Sequence, residues 1–536
     1  DGVIHFAANS QVGESMIKPL KYYSNNLCGT EVLLESMVAH SVDKIVFSST
    51  AATYGEPERI PIMESDRTLP TNCYGETKLS MEKMFKWTAN AHNLRFVSLR
   101  YFNACGAHPN GRIGEAHNPE THLIPLILQV PNEKREYISI YGTDYGSTDR
   151  EFVVPGENQT TVMPDGIAHF LEHKMFEQPD GSNAFDSFAL TGASSNAFTS
   201  FDLTAYLFSC TDKFYENLDI LIDFVNHPYF TKENVEKEQG IIGQEIKMYD
   251  DDPGWRVFFN TLTALFHNNP VKIDIAGTVD SIAEIDDDVL YKCYNTFYNP
   301  GNMILVLAGD IEIQKVLESL DKHISSDRNL GIIERPKIAE PESRVKEFTE
   351  QKLVVSQPMF QIGFKDITPF NGGEELLCRE ISTDIILDIL FGKSSDFYME
   401  LYSDGLIDSS FGAETELEKR YGFTMIGGES KDPKEVYRRV KEHIKKAQDT
   451  GLSHDEIERA KKVAKASLIK VFNSIEAMGN SFIRLLFKGV NPLEYAAAID
   501  SVPDVAVNER LKNHFDLSNC VLSTILPDDS QNEGEK

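Results

Sequence analysis

The sequence predicts a multidomain α/β protein in which a parallel sheet precedes two copies of a second α/β unit. Three observations support this fold class. The length of 536 residues corresponds to about three domains. Short apolar runs alternate with helical stretches up to about residue 144. Beyond that point, distant stretches of the chain resemble each other in outline, which indicates an internal duplication.

Residues 1–144 have the pattern of strands joined by crossover helices. The runs VIHFAA, KIVFSS and RFVSLRYF begin at Val3, Lys44 and Arg95 and are rich in the residues of buried strands. Between them lie stretches whose apolar residues recur at helical spacing. Strands and helices in alternation predict a parallel sheet.

The rest of the chain reads as two homologous halves. DSIAEIDDDVLYKCYNTFYNPGNMILVLAGD (280–310) and DSVPDVAVNERLKNHFDLSNCVLSTILPD (500–528) share an Asp-Ser pair, a helix, an Asn and an apolar strand. We assign the following segments: first half 145–325, linker 326–344, second half 345–526 and tail 527–536. The linker is rich in Pro and charge and is expected to be exposed. The polar tail is expected to be disordered.

Bulk composition excludes several classes of function. The net charge of −31 argues against binding to nucleic acid or to an anionic membrane surface. The sequence contains no run of 18 apolar residues, so we expect no transmembrane helix. The seven cysteines are scattered and form no C-x-x-C pair, which is typical of a reducing compartment. We therefore expect a cytoplasmic protein.

The stretch HFLEH is a candidate zinc site. A helix places His169 and His173 one turn apart on one face, so that both imidazoles can reach one Zn²⁺. Glu172 lies next to His173, beside the helix face that carries the two histidines. It can face an open coordination position of the metal, where it would act as a general base. The alternative is an amphipathic surface helix that carries two histidines by coincidence.

A catalytic zinc usually has three protein ligands, so a third is required. The downstream helix VEKEQGIIGQEIKMYDDDPGWR carries Glu238 and Glu245 two turns apart. We predict that Glu245 is the ligand and that Glu238 orients a histidine. In the second copy these positions become Ala460 and Ser467, and HFLEH is matched to FGKSSDF. The metal is therefore expected in the first half alone.

These motifs resemble the pitrilysin/insulinase family of zinc metallopeptidases over residues 145–526. HFLEH, the two glutamates, GASSNAFTS (192–200) and DDPGWR (251–256) carry the resemblance. It implies a clamshell of two halves, with His169, His173 and Glu245 as ligands and Glu172 as base. It also implies a substrate edge strand at Ser195, Asn196 and Ala197, and a homodimer or a non-catalytic paralogue as partner. Asn196 could hold the substrate backbone through its side-chain amide, or it could simply be a turn residue. The two alternatives are equal.

The stretch YGETK places Tyr74 and Lys78 one turn apart on a helix. A nearby ammonium lowers the pKa of a phenol, so Tyr74 could act as a base, and Thr50 could supply a partner hydroxyl. The motif Y-x-x-x-K alone is a weak signal, because both residues are common.

The surrounding stretches resemble UDP-glucose 4-epimerases, relatives of the short-chain dehydrogenases. HFAANSQVGES, NNLCGT, SSTAATYGEP, PTNCYGETKLSMEKM and LRYFNACGA occur in the family's order. The resemblance implies a partial Rossmann-like sheet, NAD as cofactor and interconversion of UDP-glucose and UDP-galactose. It assigns the base to Tyr74 and ribose binding to Lys78. It also implies that Asn26, Asn103 and His122 lie on the side of the cofactor or of the substrate.

The segment lacks a G-x-G-x-x-G turn before a helix, where a pyrophosphate would sit. We therefore expect it to be inactive as an epimerase, and NAD to bind only if the segment still forms a site. The sequence favours a zinc-dependent endopeptidase that cleaves extended peptides or unfolded segments. The alternatives are a UDP-glucose 4-epimerase and a non-catalytic peptidase-like subunit.

Overall fold

The computed structural model describes most of the chain as two compact units. The described residues are 2–10, 12–55, 62–102, 137–324, 331–366 and 372–528. The first unit comprises residues 1–129 and the second residues 130–536. Asn103, His122 and most of the predicted tail lie outside the described residues. Within the described part of the chain, no helix combines the length and apolar character needed to cross a bilayer.

The first unit is built on a three-stranded parallel sheet. Its strands, in spatial order, are β1 (Val3–His5), β2 (Lys44–Thr50) and β3 (Arg95–Tyr101). Its α-helices are α1 (Val12–Ile17), α2 (Pro19–Tyr22), α3 (Gly29–Ala39) and α4 (Cys73–His92), with a π-helix at Tyr23–Cys28 and a 3₁₀ turn at Ala51–Thr53. Phe47 of β2 packs on Phe85 of α4 with ring centroids 4.9 Å apart. The predicted parallel sheet with crossover helices is confirmed.

The first half of the second unit contains a four-stranded antiparallel sheet. The spatial order of its strands is β7 (Ser194–Thr199), β8 (Thr204–Cys210), β4 (Tyr137–Thr143) and β9 (Met303–Ala308). A separate pair is formed by β5 (Glu151–Val153) and β6 (Thr160–Val162). The helices are α5 (Ile167–Met175), α6 (Ala184–Thr191), α7 (Phe214–Asn226), α8 (Lys232–Asp250), α9 (Pro253–Leu265), α10 (Val279–Ile282), α11 (Asp287–Phe297) and α12 (Ile313–His323).

Strand β4 places the start of this half earlier than the sequence boundary at 144/145. Residues Tyr137–Thr143 pair with β8 on one side and with β9 on the other. Ile138 and Ile140 of this strand are fully buried. The residues just before the predicted boundary are therefore part of a central strand of this half.

The second half is a five-stranded sheet covered by helices. The spatial order is β10 (Phe348–Leu353), β14 (Val521–Pro527), β11 (Met359–Asp366), β13 (Gly422–Glu429) and β12 (Gly412–Leu417). Strands β10 and β14 are parallel, and the other pairs are antiparallel. The helices are α13 (Gly373–Phe391), α14 (Asp396–Ser403), α15 (Pro433–Thr450), α16 (His454–Val471), α17 (Ile475–Lys488), α18 (Tyr495–Ser501) and α19 (Asp504–His514).

The described part of the linker contacts the first half through a few of its side chains. The Arg335 Nε donates a 2.6 Å hydrogen bond to Asp149, a fully buried carboxylate of the first half. The carboxylate of Glu340 accepts hydrogen bonds from the backbone N–H groups of residues 267–269. Ile333 is also buried. Ten of the fourteen described linker residues are exposed, so the expected exposure holds apart from these few contacts.

Each half packs one helix on the sheet of the other. Helix α9 of the first half lies on β11 and β14, and helix α17 of the second half lies on β4 and β9. Two glycines permit the close approach. A Cβ at Gly363 would lie 2.5 Å from Thr261 Cγ2, and a Cβ at Gly142 would lie 2.5 Å from Ile483 Cδ1. The two halves are therefore joined by a reciprocal exchange of helices.

Candidate metal centre

Helix α5 carries both histidines of HFLEH and is fixed by its buried face. Phe170 and Leu171 are fully buried in the core of the first half. The helix begins after Gly166, whose φ of +87° favours glycine. A Cβ at Gly166 would lie 2.4 Å from the carbonyl oxygen of Ala276. Local chemistry and packing together set the direction of the two imidazoles.

The structure brings together the three side chains predicted as ligands. The Nε2 atoms of His169 and His173 lie 3.8 and 3.6 Å from the two carboxylate oxygens of Glu245. One ligand atom from each residue lies within 4.8 Å of the others. Tetrahedral zinc with bonds of about 2.0–2.1 Å needs ligand atoms about 3.3–3.5 Å apart. A small contraction of this group would meet that requirement, so the residues fit a zinc ion.

Glu238, which was predicted to orient a histidine, contacts His173. Its Oε1 lies 3.1 Å from His173 Nδ1, which leaves Nε2 directed at Glu245. Burial opposes a charged imidazolium, but the hydrogen bond to Glu238 and the negative charges of the nearby carboxylates together outweigh it and raise the pKa of His173. For Glu238, burial favours the neutral acid, yet the same bond and the neighbouring cationic side chains together hold the pKa of the carboxyl below its usual range.

His169 is the more deeply buried of the two histidines. Burial, together with the neighbouring His173, lowers the pKa of His169 to about 4. The imidazole is therefore neutral at neutral pH, which is the form that binds a metal. Its Nδ1 is buried and has no hydrogen-bond partner among the described residues.

Glu172 lies beside the histidines and is not part of the ligand group. Its Oε2 accepts a 2.6 Å hydrogen bond from the Thr199 hydroxyl. Burial raises the pKa of Glu172, and the bond to Thr199 partly opposes this. A carboxylate with a raised pKa is suited to accepting a proton near neutral pH.

Sequence reasoning missed two residues of the site. Thr199 is the last residue of β7, inside the quoted GASSNAFTS, and its contact with Glu172 depends on tertiary packing. The hydroxyl of Tyr249 donates a 2.6 Å hydrogen bond to Glu245, one helical turn earlier in α8. That i,i+4 spacing was the available signal for Tyr249. The Tyr249 ring stacks on the Trp255 ring, with ring centroids 4.6 Å apart.

Strand β7 lies at the edge of its sheet, beside the histidines. It contains Ser195, Asn196 and Ala197, the residues predicted to pair with substrate. Asn196 and Ala197 line a cavity of about 460 Å³ together with Glu172, His173 and Glu238. The Asn196 side chain is exposed and accepts a 2.9 Å hydrogen bond from the Ala197 N–H.

The second half contains a counterpart of this site without the histidines. Helices α8 and α16 both begin with a capping box, at Thr231 and Ser453. Counting from these caps, Ala460 and Ser467 occupy the positions of Glu238 and Glu245. This is the correspondence predicted from the sequence.

The counterpart of HFLEH lies in α13, earlier than the predicted match FGKSSDF. Helix α5 precedes α6 and edge strand β7, and α13 precedes α14 and edge strand β12 in the same order. The buried residues repeat with one spacing: Phe170, Leu171 and Phe176 in the first half, and Ile385, Ile386 and Phe391 in the second. Asp384 and Asp388 therefore occupy the positions of His169 and His173.

In the first unit, Lys78 lies near Tyr74, but the pKa of Tyr74 is not lowered as expected. The Lys78 Nζ donates a 2.7 Å hydrogen bond to the Ser48 carbonyl and lies 5.7 Å from the Tyr74 ring centroid. Burial lowers the pKa of Lys78 to about 8. Burial also raises the pKa of Tyr74, against the opposing hydrogen bond from Thr50. The expected lowering of the phenol pKa was therefore wrong for this structure, because burial outweighs the hydrogen bond from Thr50.

Asn26, predicted to face a cofactor, is used within the unit. Its amide nitrogen lies 3.1 Å from both the Asn9 carbonyl and the Thr77 hydroxyl. Its amide oxygen accepts a 2.8 Å hydrogen bond from the Asn9 N–H. The buried amide therefore joins two segments of the unit to each other.

Comparison with known proteins assigns both parts of the chain. Residues 154–279 match the insulinase (peptidase family M16) model, and residues 284–463 match the peptidase M16 inactive domain. Residues 1–156 match the NAD dependent epimerase/dehydratase family. The last match includes β4, although β4 pairs within the sheet of the second unit.

The relatives agree with these matches. The chain is 40% identical over 393 residues to the uncharacterized zinc protease YmfH of Bacillus subtilis, covering 73% of this chain and 91% of that protein. A putative M16-like peptidase from Alicyclobacillus acidocaldarius has a TM-score of 0.70 and 34% identity, covering 74% of this chain and 93% of the other. The chain therefore belongs to the insulinase (M16) peptidase family.

The first unit is similar to part of a different enzyme. The chain is 55% identical over 186 residues to the UDP-glucose 4-epimerase of Halalkalibacterium halodurans. The match covers 35% of this chain and 55% of that enzyme. The chain thus spans about half the length of this relative.

Proposed function

We propose that this chain is a zinc-dependent metalloendopeptidase that cleaves extended peptides or unfolded segments. The observation that carries the proposal is the convergence of His169, His173 and Glu245 beside Glu172. Two imidazoles and one carboxylate form a common ligand set of catalytic zinc. The name of the Bacillus relative, a zinc protease, supports the same assignment.

When bound, zinc would supply a Lewis acid that polarises the scissile carbonyl and lowers the pKa of a water molecule towards about 7. The chain's own residues provide the rest. Glu238 keeps His173 turned towards the ligand group, and Tyr249 holds one oxygen of Glu245. These contacts restrict rotation of the side chains and so prepare the site for the metal.

Glu172 is proposed as the general base. Thr199 holds one oxygen of its carboxylate, so the other oxygen can accept a proton from the attacking water. The same carboxylic acid can then deliver that proton to the leaving amine. The raised pKa of Glu172 favours uptake of this proton relative to an ordinary glutamate.

Strand β7 is proposed to bind the substrate backbone. An extended peptide that adds to this edge forms main-chain hydrogen bonds in a fixed register. Asn196 and Ala197 of this strand border the cavity that is also lined by Glu172 and His173. A peptide carbonyl held there would lie close to both the base and the ligand group.

The setting and partners of the enzyme are proposals of the same kind. The six cysteines described as free support a reducing compartment, and we propose the cytoplasm. A homodimer or a complex with a non-catalytic paralogue remains a prediction from the family resemblance.

For the first unit we propose no epimerase activity, since the pKa of Tyr74 is not lowered and Asn26 bonds within the unit. Calorimetric titration with NAD tests this, and tight binding would contradict it.

An unstructured fluorogenic peptide tests the proposed activity. The wild type should cleave it, and a zinc chelator should stop the reaction. Glu172→Gln should retain zinc but lose at least about a hundredfold in kcat, as expected when a general base is removed. Equal rates for wild type and Glu172→Gln would contradict the proposal.

A further inference from the structure

The residue that holds the proposed base lies directly beside a turn. Thr199, which donates a hydrogen bond to Glu172, is the last residue of β7 and pairs with Thr204, the first residue of β8. Residues 200–203 form the β7–β8 turn, in which the Ser200 N–H donates to the Leu203 carbonyl at 2.8 Å. The position of this turn therefore sets the position of the Thr199 hydroxyl.

The tip of the β7–β8 turn is buried, although loops usually run over the protein surface. Phe201 is 4% exposed. Its ring lies among four aromatic rings at centroid distances between 5.8 and 6.5 Å: Phe258 and Phe259 of α9, and Tyr421 and Phe423 of the second half. Tyr421, the nearest, belongs to the β12–β13 turn (residues 418–421). The half without the metal ligands therefore supplies two of the rings that surround the tip.

Arg420, next to Tyr421 in the β12–β13 turn, reaches the β7–β8 turn through a second route. The N–H and the hydroxyl of Thr148 both donate to the Phe201 carbonyl, at 3.0 and 2.6 Å. Arg420 in turn donates to the Thr148 hydroxyl at 3.1 Å and to the buried Asp149 at 2.6 Å. The second half thus contacts the β7–β8 turn through one ring and through one hydrogen-bonded loop.

The β12–β13 hairpin is the duplicated counterpart of the β7–β8 hairpin. Each contains a facing pair of threonines, whose hydroxyls are 3.2 Å apart for Thr199 and Thr204 and 2.9 Å apart for Thr415 and Thr424. In the second half, however, Leu387 occupies the position of the proposed base, and the Thr415 hydroxyl donates to a carbonyl of its own hairpin at 3.1 Å. The second hairpin therefore has no base to hold, and its turn contacts the first hairpin instead.

Packing between the halves would by itself account for a buried ring, but this contact lies at a particular place. The β7–β8 turn begins one residue after Thr199, whose 2.6 Å bond to Glu172 depends on the position of its hydroxyl. In an active site, a misplacement of about 1 Å can lower the rate by about 100-fold. A small relaxation of the turn would therefore reach the base.

We propose that Arg420 and Tyr421 of the second half position the base Glu172, acting through the β7–β8 turn and Thr199. The inference rests on the proposed peptidase function and deepens it, because it gives the half without metal ligands a role at the catalytic centre. Neither Arg420 nor Tyr421 lines the cavity that Glu172 lines. They are therefore positioning residues and not catalytic residues.

Tyr421→Leu in the full-length chain removes the ring that contacts Phe201. With an unstructured fluorogenic peptide, it should lower kcat by about fivefold, less than Thr199→Val does, because the hydrogen bond is misplaced and not removed. KM should stay within about twofold of the wild-type value, since the substrate strand is unchanged. Tyr421→Phe keeps the ring and should recover most of the lost kcat. A folded Tyr421→Leu with the kcat of the wild type overturns the proposal.

Phe397→Leu is the matched control for a loss of stability alone. Phe397 is a buried aromatic residue in the core of the second half, where it stacks on His443. This variant should be destabilised but should keep its kcat. An equal loss of kcat in Phe397→Leu and Tyr421→Leu would show a general effect of destabilisation and would also overturn the proposal.

Arg420→Gln serves if Tyr421→Leu does not fold, because the Arg420 side chain is 27% exposed. It removes the hydrogen bond to Thr148 and should lower kcat by about twofold or more. An unchanged kcat in this variant overturns the proposal.

A double-mutant cycle tests the route to the base. In the Thr199→Val background, Tyr421→Leu should change kcat by less than about twofold, since the bond through which it acts is already absent. Losses that multiply in the double variant would show that the Tyr421 ring acts independently of Thr199, contrary to the proposal.

Amide hydrogen exchange of the metal-free protein separates this inference from the peptidase proposal. Tyr421→Leu should exchange faster than the wild type in residues 199–203, and Phe397→Leu should not. If the wild type cleaves no peptide, the peptidase proposal fails, while faster exchange in Tyr421→Leu still supports the positioning of Thr199. If the wild type cleaves the peptide and exchange in Tyr421→Leu is unchanged, only the positioning role fails.

Discussion

The Thr199 hydroxyl donates a 2.6 Å hydrogen bond to the Glu172 carboxylate. This contact joins the last residue of the edge strand β7 to the proposed base on helix α5. Because the same strand is proposed to bind substrate, the bond couples the position of the base to the position of the peptide. Replacement of Thr199 should therefore affect catalysis more than zinc binding.

Thr199→Val should lower kcat by about tenfold, since a hydrogen bond to a charged group contributes about 1.5–3 kcal/mol. The bond opposes the upward shift in the pKa of Glu172, so its loss should raise this pKa further. A base works only when deprotonated, and activity is lost as the pH falls through its pKa. The acidic limb of the kcat/KM profile should therefore move to higher pH. Thr199→Ser keeps the hydroxyl and should preserve the profile, whereas an unchanged profile in Thr199→Val would refute the coupling.

Glu238→Ala should weaken zinc affinity by about 10–100-fold, the usual effect of removing a group that orients a metal ligand. The reason is the 3.1 Å contact that fixes the His173 ring. Competition with a chromophoric chelator measures the affinity. Glu236→Gln, an exposed position on the same helix, is the matched control and should bind zinc as the wild type does.

Asp149→Asn should destabilise the second unit by about 3 kcal/mol, because it removes the buried carboxylate that two partly buried arginines share. Asp149 is 1% exposed and pairs with Arg335 of the linker and Arg420 of the second half, each at 2.6 Å. Urea unfolding measures the difference. Asp251→Asn, at an exposed helix end, should have almost no effect.

The same cluster predicts a loss of stability in acid. Burial favours neutral Asp149, but Arg420 and Arg335 outweigh it and hold its pKa below the usual range. Stability from a lowered pKa is fully present above the unfolded value of about 3.9 and is lost as the pH falls through the folded value. Wild type should lose stability below about pH 4 more steeply than Asp149→Asn. Parallel curves would show that the cluster contributes nothing to acid sensitivity.

Gly363→Ala should cost about 1–3 kcal/mol, the usual penalty of overpacking a core. Its Cβ would meet Thr261 and Leu265 of the exchanged helix α9 at 2.5 and 2.8 Å. Gly412→Ala in β12 is the control, since no atom lies within 4 Å of its added Cβ. Equal thermal midpoints for the two variants would contradict the close approach of α9.

The parts of the fold that depend on local patterns were predictable from the sequence. The i,i+4 spacing of His169 and His173 requires only a helix, and the parallel sheet of the first unit follows from the alternation of its strands and helices. The duplication was recognisable from matching segments, and the caps at Thr231 and Ser453 show why the assignment of Ala460 and Ser467 agrees with the structure.

The features that depend on distant partners were not predictable. Strand β4 joins the second unit because it pairs with β8 and β9, which lie far along the chain. The counterpart of HFLEH in α13 shares a burial pattern but almost no residue types. A comparison of residue types therefore placed it several positions too far towards the C-terminus. The contact between Thr199 and Glu172 likewise arises only when β7 packs on α5.

The zinc content of the purified full-length chain tests the central claim most directly. Elemental analysis of protein prepared without chelators should find about one zinc per chain in the wild type, the number that one ligand group can hold. Glu245→Gln should lose most of it, and Glu172→Gln should keep it, because Glu172 is proposed as a base and not as a ligand. Wild-type protein without zinc, or zinc retained in full by Glu245→Gln, would contradict the account.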